Sequence, residues 1–570
     1  MTKSGMNSTT NSTTSTPSQP LNNFPSSKSN ANTPTSTIVE DSELRSQPMS
    51  SKKENPSRDK ENLAREGQAD DTDNQSGDSG RTIVVDWEGP NDPQNPKNWS
   101  FRRKWAATTI VSAFTFISPV SSSMVAPATE TIAAQFGITN DVLIAMTTSI
   151  FVLAYAIGPL ILGPLSEIYG RSRVLQAANM FYLVWNLACG FAQNTAQLLV
   201  FRFLAGLGGS APLSIGGGVL GDVWHPEERG KAIAVYSLAP LLGPVLGPIA
   251  GAWIADKSGG GAGDGGGIGD QSNMWRWVFW STTIVDAVIQ VAGMFWLQET
   301  FAPILLERKA DKIRKEISGD PEKEGSVDVK TVYSNQEGRT MKEIIQKSLT
   351  RPFALFAREP IAQIIGLYMA FVYGVFYLFL TTIPTIFTEV YHESPGIGGL
   401  NYIGLGIGLT LSSQLNARYM DKIYVYLKNK NNGVGQPEFR VPAMFLGSFC
   451  LPAGLLISGW AAEEGVSWVV TDLGMVFVAA GVILTFQSMQ TYVVDCFTLH
   501  AASALASISC LRSLAGFGFP LFAPAMYNAI GFGKGDTILA AVSIAVGWPA
   551  PIIFWKYGKA IRMKSKYART

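Results

Sequence analysis

Twelve apolar stretches constrain this chain more than any other feature. They fall near residues 105–125, 143–162, 174–193, 198–219, 232–254, 275–297, 361–382, 398–416, 441–460, 468–490, 501–522 and 538–556. Each approaches the ~20 residues that an α-helix needs to cross a hydrocarbon core of ~30 Å. No water is available in that core, so a spanning chain must satisfy its own backbone, and helices are expected throughout. Only 16% of the 570 residues are charged, against about a quarter in a soluble protein. A long charged connection, with Glu307, Arg308, Lys309, Lys312, Arg314 and Lys315, divides the stretches into two sets of six. The fold class expected is all-α and integral to a membrane, with twelve transmembrane helices in two six-helix bundles.

Orientation follows from the lysine and arginine bias of the short connections. One set carries Arg102, Arg103 and Lys104; Arg171 and Arg173; Arg229 and Lys231; the long central connection; Arg418, Lys422, Lys428, Lys430 and Arg440; and Lys556, Lys559, Arg562 and Lys564. The other set has Lys257 and Lys534 and otherwise acids, among them Glu130, Asp141, Glu389, Glu393, Glu463 and Glu464. Both termini and the central connection are therefore expected in the cytosol. The domain plan is a disordered tail over 1–84, a juxtamembrane linker over 85–104, a first bundle over 105–297, a central loop over 298–360, a second bundle over 361–557 and a short tail over 558–570. The tail is rich in Ser, Thr, Asn, Pro, Lys and Glu and cannot bury enough apolar surface to offset the entropy of ordering. Its sequons at Asn7 and Asn11 would go unused in the cytosol. No apolar signal region opens the chain, so the first span itself would direct insertion. A glycine-rich loop with Asp264 precedes the sixth span.

Several function classes are excluded or disfavoured. Net charge is +1, which offers nucleic acid no electrostatic footprint. Cys189, Cys450, Cys496 and Cys510 lie in or beside apolar runs with no CxxC pair, as buried small hydrophobes do. His225, His392 and His500 are scattered, so neither a metal site nor a cofactor is expected. No GxxxxGK[ST] loop is present for ATP drive, and no Ser–His–Asp set suggests a membrane enzyme. What stands out is a short charged hinge, Gly163-Pro164-Leu165-Ser166-Glu167-Ile168-Tyr169-Gly170-Arg171-Ser172-Arg173, between the second and third spans. A related charged turn, Asn416-Ala417-Arg418-Tyr419-Met420-Asp421-Lys422, follows the eighth, as a duplicated half would have it.

Taken with that hinge, further motifs resemble the major facilitator superfamily, specifically its fungal twelve-span drug:proton antiporter branch. Arg202-Phe203-Leu204-Ala205-Gly206-Leu207-Gly208-Gly209 resembles the arginine-glycine motif of the fourth span. Ala239-Pro240-Leu241-Leu242-Gly243-Pro244-Val245-Leu246-Gly247-Pro248-Ile249-Ala250-Gly251 resembles the antiporter signature of the fifth. The run from Asp86 to Trp99, Trp275-Arg276-Trp277, Tyr492-Val493-Val494-Asp495, Ser503-Ala504-Leu505-Ala506 and Arg512 are similar to fungal members. Two departures are visible: Glu167 stands where Asp is usual, and Ala252 replaces the second glycine of the closing pair.

The resemblance implies the major facilitator fold, with two bundles rocking around a midplane site. It also implies proton coupling through Arg202, which otherwise reads as a snorkelling interfacial arginine. Asp286, midway along the sixth span, is an intramembrane acid and hence a candidate proton carrier, although that span is peripheral in such folds. Gly163, Glu167, Gly170, Arg171, Asp222 and Arg229 are candidates for a cytoplasmic gate, with Asp222, Glu167 and Arg171 expected to form its latch. Asp495 is expected beside Arg512. Gly243, Pro244, Gly247, Pro248 and Gly251 share one helical face; they suit close packing, and in the antiporters that face seals against proton leak. Tyr368, Tyr373, Phe376 and Tyr377 are candidate cavity residues for flat or cationic substrates, with lipid-facing packing as the alternative. The expected function is proton-driven export of hydrophobic or cationic small molecules, such as drugs, fungicides or a self-made toxic metabolite. Polyamine export and a non-transporting membrane sensor are the alternatives. The expected partners are the small molecule, protons and the bilayer, for a monomer in the plasma membrane.

Overall fold

The structure, a computed structural model, describes residues 81–225, 228–258, 273–318, 327–333, 341–497 and 501–565. Residues 1–80, with the expected tail, and most of the glycine-rich loop lie outside those described. A short strand β1 (Arg81–Val85) comes first. The first half then runs through α1 (Phe101–Ser123), α2 (Thr129–Phe136), α3 (Asp141–Tyr169), α4 (Arg171–Cys189), α5 (Thr195–Gly209), α6 (Ala211–Val223), α7 (Arg229–Ser258) and α8 (Arg276–Trp296). The central segment holds α9 (Ala302–Ser318), strand β2 (Val327–Thr331) and α10 (Met341–Arg358). The second half comprises α11 (Pro360–Thr385), the four-residue α12 (Pro395–Gly398), α13 (Tyr402–Lys430), α14 (Pro442–Glu463), α15 (Trp468–Phe497), α16 (Ala501–Ile530), α17 (Phe532–Gly547) and α18 (Pro549–Lys564).

Each expected span has its helix, with the fourth divided into α5 and α6 at Ser210 and the twelfth into α17 and α18 at Trp548. Ten helical stretches among the described residues are long and apolar enough to cross a membrane. The third and eighth spans, α4 and α13, fall short of that apolarity for identifiable reasons. Helix α4 spends Gln176, Asn179 and Asn186 on hydrogen bonds to α8. Helix α13 continues past the expected end at 416 to Lys430, so Asn416–Lys422 is helix and not a turn.

Within the first half α1 packs on α7 and α8, and α5 on α3 and α4. Within the second, α14 packs on α15 and α17, α11 on α16, and α13 on α15. The halves meet where α3 lies on α16 and where α7 meets α12 and α13. Val152, Leu241 and Val245 of the first half belong to the same buried apolar cluster as Tyr377, Leu405 and Met475 of the second. Helix α7 packs against both halves. Cβ atoms built on Gly243, Gly247 and Gly251 would sit 2.7 Å from Pro119 and 2.6 and 2.0 Å from the carbonyls of Val120 and Met124. Only glycine allows α7 that close to α1.

Outside the spans the structure departs from an open linker and loop. β1 pairs in parallel with β2, from Arg81↔Val327 to Val85↔Thr331, and Val85 and Val329 pack on Ala310 of α9. The proline-rich run is built around Asp92, which accepts from the Glu88 and Gln94 backbone N–H groups at 2.9 and 2.8 Å. Lys309 of α9 lies 3.0 Å from Glu88 and 3.8 Å from Asp92. Arg102, Arg103 and Lys104 already lie in α1, and the last helix runs through Lys564, so the bundle boundaries at 105 and 557 move outward.

Candidate functional site

The hinge is built by a left-handed glycine. Gly170 has φ +100°, and a Cβ there would lie 2.1 Å from a carboxylate oxygen of Glu299. α3 therefore ends, and α4 starts, with Arg171 at its first turn. The Arg171 backbone N–H donates to Glu299 Oε1 at 2.9 Å, and its Nε donates to Asp222 Oδ2 at 3.1 Å. Its Nη1 donates to Ser166 Oγ at 3.2 Å, and the guanidinium carbon lies 4.8 Å from the centre of the Phe301 ring. Both members of the Arg171–Asp222 pair are largely shielded, where a charge-assisted hydrogen bond is strong. Asp222 sits two residues before Trp224, the cap of α6, whose indole N–H donates to Thr108 at 2.8 Å.

The structure thus brings Gly170, Arg171 and Asp222 together but leaves Glu167 out of the latch. Glu167 is exposed and makes no ion pair among the described residues. Its place beside Arg171 is taken by Glu299, just past α8. Periodicity in sequence hid it, because Glu299 is distant in the chain and reaches the hinge only through the α4–α8 packing. Gly163 is open, with nothing within 4 Å of a built Cβ; the Arg229 side chain lies outside the described residues.

The second half carries a counterpart. Arg440, just before α14, donates to Asp495 at the end of α15 (2.9 Å) and to Asp421 of α13 (2.8 Å). Burial opposes its charge, yet the bonds to Asp495 and Asp421 hold the guanidinium pKa above its ordinary value. Beside it Arg562 of α18 pairs with Glu438 at 3.3 Å, both buried. Asp495 is therefore the partner of Arg440 and not of Arg512. All these pairs close within their own half. At the opposite end the halves touch directly: Gly399 abuts Ala252, Gly396 faces Asp256 and Gly406 meets Val245.

Between these ends lies an aromatic seam. Tyr373, Phe376 and Tyr377 of α11 contact one another, with ring centres 4.9 to 6.4 Å apart. A Cβ built on Gly516 of α16 would lie 3.0 Å from Tyr373 and 3.2 Å from Val152 of α3, so Tyr373 stands at the junction of the halves. Tyr155 and Ser122 of the first half approach Tyr373 and Tyr377, and Tyr155 OH is 2.6 Å from Ser118 Oγ. Tyr368 does not belong to this seam. It is buried inside the second half, its hydroxyl against Gly547 of α17.

Arg202 is fully buried. It donates to the carbonyls of Ser122 and Thr148 at 3.1 and 3.2 Å, with Ser121 at 3.5 Å, and it lies over the rings of Phe151 and Phe279. Backbone carbonyls, not a carboxylate, accept from its Nη groups, and its buried Nε has no partner among the described residues. Asp286 is buried between α4 and α8, where Asn179 Nδ2 donates to its two oxygens at 3.0 and 3.1 Å. A second buried acid, Asp536 of α17, accepts from Tyr527 at 2.6 Å; its flanking glycines and lysine made it look like a loop residue in sequence. No group of His, Cys, Asp and Glu among the described residues could hold a metal. A cavity of about 550 Å³ lies apart from the seam, on α3, α4 and α5, walled by Ile161, Leu165, Val174 and Phe181 with Arg173 at one end. Ile161 and Phe181 are exposed there, so this groove faces the lipid.

Comparison with known proteins adds a family to this geometry. The model of the Major Facilitator Superfamily matches residues 111–520. The efflux pump vrtL of Penicillium aethiopicum is 47% identical over 85% of this chain and 91% of its own length. The MFS-type transporter penM of Penicillium rubens is 39% identical over 85% and 91%. Among solved structures, the partially occluded inward-open xylose transporter XylE of E. coli has a TM-score of 0.58 at 14% identity, covering 80% of this chain and 98% of that one, a likeness of fold.

Proposed function

The chain belongs to the Major Facilitator Superfamily, and on that premise we propose that it is a proton-coupled antiporter exporting hydrophobic, aromatic-bodied small molecules from the cytosol. It is a multi-pass membrane transporter and not an enzyme. The observation that carries the proposal is the seam at Tyr373, where α3, α11 and α16 meet at mid-span. A site shared by both halves is the one that rocking exposes alternately. Drugs, fungicides and self-made toxic metabolites suit a site lined by the rings of Tyr373, Phe376 and Tyr377. Polyamines fit it poorly, because the charged side chains near the seam, Arg202 and Arg512, are cations.

In the proposed cycle the contacts of α7 with α12 and α13 close the outer end while the hinge end admits substrate from the cytosol. Return to the other state requires the Arg171–Asp222–Glu299 cluster to rearrange. The buried Asp286, held by a neutral amide and no cation, is the proposed proton carrier, with Arg202 fixing the adjacent α1 and α3 backbones. Both termini lie in the cytosol and the protein works as a monomer in the plasma membrane.

The test is uphill dye movement in proteoliposomes with an imposed pH gradient, run beside spermine. Dye transport that collapses with a protonophore is expected, and spermine transport without dye transport would reject the substrate class. Asp286→Asn is expected to abolish gradient-driven movement. Unchanged transport by Arg171→Glu would count against the gate.

A further inference from the structure

Arg512 is an intramembrane cation whose two Nη groups the fold leaves open and only partly buried. Elsewhere in the spans Arg202 donates to carbonyls through its Nη groups, Asp286 accepts from Asn179 and Asp536 accepts from Tyr527. Arg512 stands midway along α16, its guanidinium 4.9 Å from the centre of the Tyr373 ring and 5.1 Å from that of Phe486 on α15. Its Nε donates to Ser509 at 3.3 Å. Its two Nη groups donate to nothing among the described residues, and no carboxylate there lies within ion-pair distance of it. The side chain is only partly buried, and Tyr373 beneath it borders Gly516, which Val152 of the opposite half also faces. A guanidinium held between ring faces keeps a fixed plane and a fork of donors that matches a carboxylate bidentately.

We infer that Arg512, bedded on Tyr373 and Phe486, is an anion subsite in the transport seam, and that the substrate is an aromatic or apolar molecule bearing one acidic group. The inference rests on the transporter reading above and narrows its substrate class. The acid docks on the Nη groups while the apolar body lies along Phe376 and Tyr377. Such a substrate changes the energetics of export. A monoanion moving out and a proton moving in both carry positive charge inward, so the membrane potential adds to the pH gradient.

The probes are 9-anthracenecarboxylate and its neutral analogue 9-anthracenecarboxamide, bound to the purified full chain and read by fluorescence. The wild type is expected to bind the carboxylate about tenfold more tightly, the scale of one charge-assisted hydrogen bond over a neutral one. Arg512→Gln is expected to erase that preference while still binding the amide, which also reports that the variant is folded. Arg512→Lys keeps the charge without the fork and is expected to retain part of it. Equal affinities in the wild type, failure to bind the carboxylate, or a preference that survives in Arg512→Gln overturns the proposal. In proteoliposomes, gradient-driven movement of the amide alone would spare the transporter reading and reject the acidic substrate. A binding preference without movement of either probe would do the reverse.

Discussion

At the hinge end of the first half one arginine does two jobs, whereas in the second half the same work is divided. Arg171 meets Asp222 through its side chain and Glu299 through its backbone N–H, so both acids respond to one residue. In the second half Arg440 holds Asp495 and Asp421, while Arg562 separately holds Glu438. The first arrangement couples three helices, α4, α6 and the end of α8, through a single turn that a glycine shapes. The second resembles structural bracing, because the Arg562–Glu438 pair is buried and Asp421 is mostly in solvent. Duplicated halves therefore need not hold their charges alike: the first half gathers its acids at one hinge arginine, and the second spreads them over two.

That contrast is breakable, and the largest effect is expected at the brace. Arg562→Ala leaves Glu438 buried without its cation, a loss of about 3–5 kcal/mol. A steep fall in the thermal midpoint of the detergent-solubilised protein is the expected result; a fall no larger than that of Arg440→Ala would erase the distinction between brace and latch. Next come two left-handed glycines. Gly170→Ala must strain the backbone and also displace Glu299, whereas Gly433, with φ +79°, has nothing within 4 Å of a built Cβ. Strain alone costs roughly 1 kcal/mol, so Gly433→Ala is expected to cost that much. Gly170→Ala is expected to cost about 2–3 kcal/mol once the carboxylate loses its backbone partner. Equal costs would mean that Glu299 moves aside freely.

Smaller still is the difference in pair coupling. A double-mutant cycle on Arg171 and Asp222, both shielded, is expected to give about 1–2 kcal/mol. The cycle on Arg440 and the exposed Asp421 is expected to give at most about 0.5 kcal/mol. Unfolding curves of the two cycles in the same detergent decide the matter, and a larger value for the second pair would reverse the assignment of latch and brace.

The spans were legible because membrane insertion writes itself into composition: each stretch had to be apolar along its length, and every one of the twelve has its helix. α4 shows the limit of that rule, since its Gln176, Asn179 and Asn186 face α8 and lower the apolarity that marks a span, and in α13 the charged run from Asn416 onward lies within the helix. The antiporter-like glycines of α7 were legible for a similar reason, because close packing on α1 demands them at a helical period. Partners distant in the chain were not. Glu299 and Arg440 look like ordinary loop charges, and only packing brings them to Arg171 and Asp495. Glu167 misled because adjacency in sequence is not adjacency across a hinge. Tyr368 misled similarly: five residues before Tyr373, it projects from α11 in a different direction and ends against α17. The layer formed by β1, β2 and α9 was hidden too, since two five-residue strands drawn from segments more than 200 residues apart leave no periodic mark.

The smallest predicted effect concerns that layer, which has no described counterpart in the second half. Burial works against the charge of Asp92, but the Glu88 and Gln94 N–H groups and Lys309 outweigh it and hold its carboxyl below the ordinary range. A folded pKa below the unfolded value of about 3.9 means that the unfolded chain binds the proton more readily. The stabilisation is therefore complete above about pH 4 and fades as pH falls through the folded value. Hydrogen exchange of the β1 and β2 amides is expected to be unchanged between neutral pH and pH 5 once the intrinsic rate is corrected, and to accelerate on further acidification. Asp92→Asn is expected to remove that acid dependence while loosening the layer at neutral pH, with the spans unaffected. If the spans and the layer instead loosen together, the layer is integral to the first half and the hinge is stiffer than its geometry implies. Acceleration confined to β1 and β2 would mean that the layer opens independently of the hinge, as the contrast with the braced second half requires.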